Sequence, residues 1–225
     1  MDADHQIANY SGDHETTFQV TAMAKPEHLR NWSLTCTGVD VRVGAIHAWI
    51  VDSEMGRFTS GHTRSHLVGM PGTAYSAITV GSYATRNGWD SEESTITLSA
   101  INMEDISYFS SPGPTRDGDT KPEITAPGQW IIAPLSADAP VSEIPQRMRV
   151  KDVDYAAMQG TSMAAPFVTG AIALLLEKAP TLDWAEAKRR LIKSARQDSF
   201  TAPCWNCLWG YGKMDIKKLL EVEPK

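Results

Sequence analysis

The sequence predicts an α/β fold, on three observations. Ser76–Ala84 (SAITVGSYA) is short, apolar and flanked by turn residues, the pattern of a fully buried strand. Met163–Lys178 is apolar almost all round, the pattern of a helix buried on most sides. Asp183–Ala195 is amphipathic: Trp184, Ala187, Leu191, Ile192 and Ala195 share a face, while Lys188, Arg189, Arg190 and Lys193 lie off it. Short strands interleaved with helices build a sheet with helices packed against it.

The remaining elements follow in chain order. From Thr16 to Ala24 and from Val39 to Val51 apolar and polar residues partly alternate, which predicts strands of a small antiparallel layer. Gly56–Gly72 is rich in Gly, Ser, Thr and His and predicts a loop. Ile106–Ser110 predicts a short strand, and Ser111–Asp119 is a run of turn formers. Glu123–Ala126 and Trp130–Ala133 predict two strands separated by Pro127-Gly128, and Leu135–Asp154 a mobile surface loop. Asp183 followed by Glu186 is a capping-box-like helix start, and Met214–Glu221 predicts a short terminal helix.

Composition narrows the function classes. With 42% hydrophobic and 21% charged residues, the 225-residue chain has the make-up of a soluble globular protein. A net charge of −6 leaves no basic surplus to meet phosphates, which argues against nucleic-acid binding. The longest apolar stretch, Met163–Leu176, contains Pro166, Thr169 and Gly170 and is too short for a membrane span. No basic start followed by an apolar run opens the chain, so no secretory signal is visible. Cys204-Trp-Asn-Cys207 has no second CxxC to complete a zinc site and sits in an aromatic, Gly-rich loop. It reads as two nearby thiols or a local disulfide, and Cys36 has no assignable partner. Asn31-Trp32-Ser33 matches a glycosylation sequon, a match that chance also produces.

The most informative stretch is Gly160-Thr161-Ser162-Met163-Ala164-Ala165-Pro166. Pro166 is tolerated near a helix start, which places Ser162 at the N-terminus of the long helix. There the unpaired backbone N–H groups and the positive end of the helix dipole can stabilise a developing oxyanion. Gly160 allows close backbone approach. On local physics alone, the commoner role of such a serine is to cap the helix.

These seven positions resemble the nucleophile motif of the subtilisin-like serine proteases, Gly-Thr-Ser-Met-Ala followed by a small residue and Pro. An α/β-hydrolase elbow fails, because Ala164 stands where the final Gly of Gly-x-Ser-x-Gly belongs. Val68-Gly-Met-Pro-Gly72 followed by Ala77–Gly81 is similar to the family's specificity-pocket loop and strand. Ser107–Ser111, Lys121–Gly128 and Gly210–Met214 resemble further family segments in the expected order. The resemblance implies the C-terminal part of a subtilisin-like parallel-sheet domain over residues 61–225, with a small antiparallel β-rich insert over 1–60. It implies Ser162 as nucleophile, with its N–H as one oxyanion donor. Gly69, Met70, Gly160 and Thr161 become substrate-binding positions, Gly69 at the pocket base and Met70–Pro71 in the cis form. A polypeptide substrate and a secreted or cell-envelope setting follow from the family.

Equally informative is what the sequence does not contain. The family's Asp-Thr/Ser-Gly and His-Gly-Thr-x-Val motifs do not occur, and Gly61-His62-Thr63 is only a loop imitation. Ala8-Asn9-Tyr10-Ser11-Gly12 is faintly similar to the second oxyanion donor's motif, although another alignment places that donor before residue 1. Without a general base a serine is a poor nucleophile. The expectation is therefore an endopeptidase part that is inactive alone. It exposes apolar surface and takes as partner either the missing N-terminal half of the domain or a second copy. The alternative is a non-catalytic binding or scaffold module derived from a protease fold. No cofactor is expected; subtilases often bind calcium, but no carboxylate cluster here is assignable to a metal.

Overall fold

A computed structural model of the chain describes residues 2–6, 15–19, 33, 35–37, 46–50 and 57–221. The backbone divides into two compact units, Met1–Arg57 and Phe58–Lys225. In the first, β1 (Asp2–Gln6) pairs antiparallel with β2 (Glu15–Gln19), in register from Asp2↔Gln19 to Gln6↔Glu15. The strand expected at Thr16–Ala24 is thus seen as Glu15–Gln19, and residues 20–24 lie outside the described residues. Of the strand expected over Val39–Val51, residues 46–50 are described and have no regular structure. The polar β1 carries too little apolar alternation to be read as a strand.

The second unit is built on a parallel pair, β3 (Val80–Ala84) with β6 (Ile124–Gln129), running from Val80↔Ile124 to Ala84↔Gln129. Between them in sequence, β4 (Gly88–Asp90) and β5 (Thr95–Thr97) form an antiparallel hairpin. β7 (Ile131–Pro134) pairs antiparallel with β8 (Tyr155–Met158). Gly212–Met214 lies along β6: Thr125 N–H donates to Gly212 O (2.9 Å) and Met214 N–H to Thr125 O (2.8 Å).

Three helices follow: α1 (Thr161–Lys178), α2 (Trp184–Ser194) and α3 (Ile216–Glu221). On α1 the buried residues are Ala164, Val168, Ala171 and Leu175, spaced four, three and four apart, one stripe of a helix. They pack with Ile124 and Ala126 of β6, Ala187 and Leu191 of α2, and Leu219 of α3. Among the described residues no helix is long and apolar enough to cross a membrane.

Several expectations are corrected. α1 is buried on one stripe, not on most sides; Phe167, Leu174 and Leu176 on its other faces are exposed. Pro127-Gly128 does not break the strand: β6 runs through both, with a register shift at Tyr83/Ala84, the kind of irregularity at which Pro is accommodated. The break comes at Trp130, whose φ is +55°, after which β7 begins. Ile106–Ser110 makes only a single bridge, Tyr83↔Ile106. Its serines take over part of the ladder: Ser82 N–H donates to Ser110 Oγ (3.0 Å), and the Ser82 and Ser107 hydroxyls bond at 2.8 Å. Residues 135–154 contain two short 3-10 turns, Val141–Glu143 and Gln146–Met148, and lead into the unforeseen β8. On α2 the foreseen cap is present, Asp183 Oδ1 accepting from Glu186 N–H at 2.8 Å. Arg190, however, is buried and donates to Glu186 Oε1 (2.7 Å), while Trp184 is half exposed.

Candidate active site

Two glycines place Ser162. Gly128 lets β6 approach the helix start: a Cβ there would lie 2.5 Å from Ser82 Oγ and 2.8 Å from Gly160 O. Gly160 is the N-cap of α1 with φ +153°, a conformation side-chain-bearing residues rarely adopt, and its N–H donates to Gly128 O at 2.8 Å. The first turn of α1 therefore rises from a fixed point on β6.

Ser162 is the second residue of that turn, exposed, and its hydroxyl makes no hydrogen bond to any described residue. The capping alternative does not hold, because Gly160 is the cap and no side chain bonds the helix end. Met163 N–H is taken by Gly160 O (3.0 Å), whereas Ser162 N–H has no backbone acceptor among the described residues. No acidic residue occupies the first turn to neutralise the helix dipole. Pro166 is the sixth helical residue and lacks the N–H that would otherwise reach the Ser162 carbonyl. Beside the site, Gln159 Nε2 donates to Tyr108 Oη (3.3 Å), and Gln159 Oε1 is buried without a partner.

Next to the helix start lies a pocket of about 200 Å³, walled by Gly69, Gly72, Thr79, Ser111, Pro122 and Thr161, among others. The fold thus brings Gly69 and Thr161 to one cavity. Met70 and Gly160 are not in its wall; Met70 is exposed, and the Met70–Pro71 bond is cis. A Cβ on Gly69 would meet nothing within 4 Å, so packing does not require glycine there.

His62 is exposed, and Ser65 Oγ pairs with His66 Nδ1 at 2.8 Å. Asn9 lies outside the described residues, as do His14 and His28. Cys36, Cys204 and Cys207 are free thiols. Between the last two, Trp205 Nε1 donates to the carbonyl of the pocket residue Pro122 at 3.0 Å. Among the described residues no group of three or more His, Cys, Asp or Glu side chains could hold a metal ion.

Sequence reasoning missed two charged clusters. Behind the pocket, Glu123 is buried with Lys121 (Nζ–Oε1 2.8 Å) and pairs also with Lys188 of α2. Burial outweighs the Glu123 contact and pushes the Lys121 ammonium below its ordinary value. In the closing turn, Lys213 is fully buried; its Nζ contacts Asp198 (2.8 Å) and Glu104 (3.1 Å) and lies over the rings of Tyr83, Phe200 and Trp209. The available signal was a lysine inside an otherwise apolar or turn-forming motif, Lys121-Pro-Glu and Gly-Tyr-Gly-Lys213.

Comparison with known proteins agrees with this geometry. A family model described as the Subtilase family matches residues 53–212. The chain is 35% identical over 127 residues to "Serine protease AprX" of Bacillus subtilis (strain 168), covering 56% of this chain and 26% of AprX. It is 32% identical over 154 residues to "Uncharacterized protein aq_aa18" of Aquifex aeolicus (strain VF5), covering 66% of this chain and 64% of the relative. The chain thus spans less than two thirds of either relative's length. The solved structure of the Clostridium perfringens CspB protease matches with a TM-score of 0.54 and 28% identity, over 75% of this chain and 31% of that one. A parallel β3–β6 pair flanked by helices, a serine on the first turn of α1 and a family match over most of the second unit lead to one conclusion: the chain belongs to the subtilase family.

Proposed function

We propose that Ser162 is the nucleophile of a serine endopeptidase that cleaves peptide bonds through an acyl-enzyme. The carrying observation is the Ser162 hydroxyl itself, exposed on the first turn of α1 and excused from capping by Gly160. In this reading Ser162 Oγ attacks the scissile carbonyl carbon and its proton passes to a histidine base. The carbonyl oxygen, now an anion, accepts a hydrogen bond from Ser162 N–H. The intermediate collapses with loss of the amine, which takes that proton, and water releases the acyl group by the same steps. Thr161 and Gly69 line the pocket for the side chain before the scissile bond, and the absent Cβ of Gly69 leaves it room for a large apolar group.

The base and its aspartate come from polypeptide outside these residues. The sequence holds neither family motif, and no described histidine bonds Ser162. The chain is inactive by itself and requires that segment as its partner. The test is peptide hydrolysis by the chain joined to its upstream polypeptide. Ser162→Ala is expected to abolish it, by about 10⁴-fold or more. Turnover that survives this substitution contradicts the reading.

Because the sequence holds neither the Asp nor the His motif, a second reading is a non-catalytic binding module on a protease fold. Failure of the joined protein to hydrolyse any peptide, with peptide binding retained, favours that one.

A further inference from the structure

The buried charges behind the pocket have no part in acyl transfer, yet they grip the segment that forms its wall. Glu123 holds Thr79 by both backbone groups: Glu123 N–H donates to Thr79 O (3.0 Å), and Thr79 N–H donates to Glu123 Oε2 (2.7 Å). The Thr79 hydroxyl in turn donates to Gly72 O at 2.5 Å. Gly72 packs on Gly69, since a Cβ on Gly72 would lie 3.0 Å from Gly69 O. The two lysines that neutralise Glu123 hold the same stretch from the other side. Lys121 Nζ donates to Ala77 O (2.6 Å), and Lys188 Nζ to Tyr75 O (3.1 Å) and Ala77 O (3.2 Å). A ladder bond alone would align the strand. A buried ion cluster adds little net stability over an apolar replacement, but it fixes direction at both ends of each contact.

We propose that Glu123, neutralised by Lys121 and Lys188, is a positioning residue that sets the shape of the pocket through Thr79 and Gly72. The inference rests on the reading of this pocket as the seat of the substrate side chain. Through Lys188 it also makes α2, which carries no pocket residue, part of the pocket's support.

The test uses Glu123→Gln, and Lys188→Met as a milder variant that keeps the Lys121–Glu123 pair. In the full 225-residue chain, amide exchange of residues 68–79 is expected to rise about tenfold in Glu123→Gln and about threefold in Lys188→Met. Exchange of residues 168–175 in α1 stays unchanged. Equal acceleration in both segments, or none in a folded variant, overturns the proposal; if Glu123→Gln does not fold, Lys188→Met decides. In the protein joined to its upstream polypeptide, both variants are expected to lower the preference for a large over a small side chain before the scissile bond. The loss is about fivefold in kcat/KM and falls mainly on KM. An unchanged preference in the active protein overturns the proposal. If the unsubstituted protein cleaves no peptide, the protease reading fails, and amide exchange alone then decides whether Glu123 shapes the cavity.

Discussion

Gly160 donates its N–H to the Gly128 carbonyl at 2.8 Å, which ties the start of α1 to the point where β6 shifts register against β3. Ser162 takes its place from this bond, two residues further on. Gly128→Ala should therefore damage fold and site together. The added methyl would meet Ser82 Oγ, Gly160 O and Ala164 Cβ, all within 3 Å, so something must shift, and Gly160 O among them is backbone. A loss of about 3 kcal/mol is expected from overpacking of this kind, read as a lower midpoint in denaturant melts at unchanged slope. An unchanged midpoint would show that β6 and α1 can separate freely.

The closing turn should be equally sensitive at Lys213. Its ammonium, buried under three rings and held by Glu104 and Asp198, joins the turn to β3 and to the segment after α2. Lys213→Met keeps the apolar stem but strips the carboxylates of one cation, leaving Arg196 as their partner. The carboxylates left behind are partly exposed and still paired, so the expected cost is that of the lost charged hydrogen bonds, about 2 kcal/mol. Burial pushes both carboxyls up, but Arg196 and Lys213 outweigh it for Glu104, and Lys213 with the Phe200 N–H does so for Asp198; both sit below their ordinary values. A carboxyl depressed in the folded state stabilises the fold above its unfolded value, about 4, and loses that contribution as pH falls through the folded value. Thermal melts between pH 6 and about pH 2 should thus decline less steeply in Lys213→Met than in the unsubstituted chain. Equal slopes would contradict the assignment.

Much of this was legible in the sequence, for identifiable reasons. A seven-residue motif fixed the helix start, and the Asp183 cap signalled α2, because both are local interactions between near neighbours. Lys121, Lys188 and Lys213 were not legible, since their partners lie far along the chain and only the fold brings them together. Arg190 was misread for a related reason: its charge is met by Glu186 one turn earlier, which lets the side chain enter the core. Pro127-Gly128 has the composition of a breaker, but the register shift against β3 accommodates both residues within β6.

The exposed side of α1 should make the chain self-associate when alone. Phe167 and Leu174 are 37% and 46% exposed on a helix whose composition is that of a buried one. Sedimentation velocity of the chain is expected to show concentration-dependent oligomers. Phe167→Ser with Leu174→Ser should shift it toward monomer and weaken capture of the upstream polypeptide. A monomer at all concentrations would remove the argument that this face awaits a cover.

The most direct test of the central claim is labelling by a fluorophosphonate, which phosphonylates a serine hydroxyl with loss of fluoride only where that hydroxyl is activated. The chain alone should stay unlabelled, and the chain combined with its upstream polypeptide should carry the label on Ser162, as mapped by peptide mass spectrometry. An unlabelled complex, or a label on any other residue, would contradict the account.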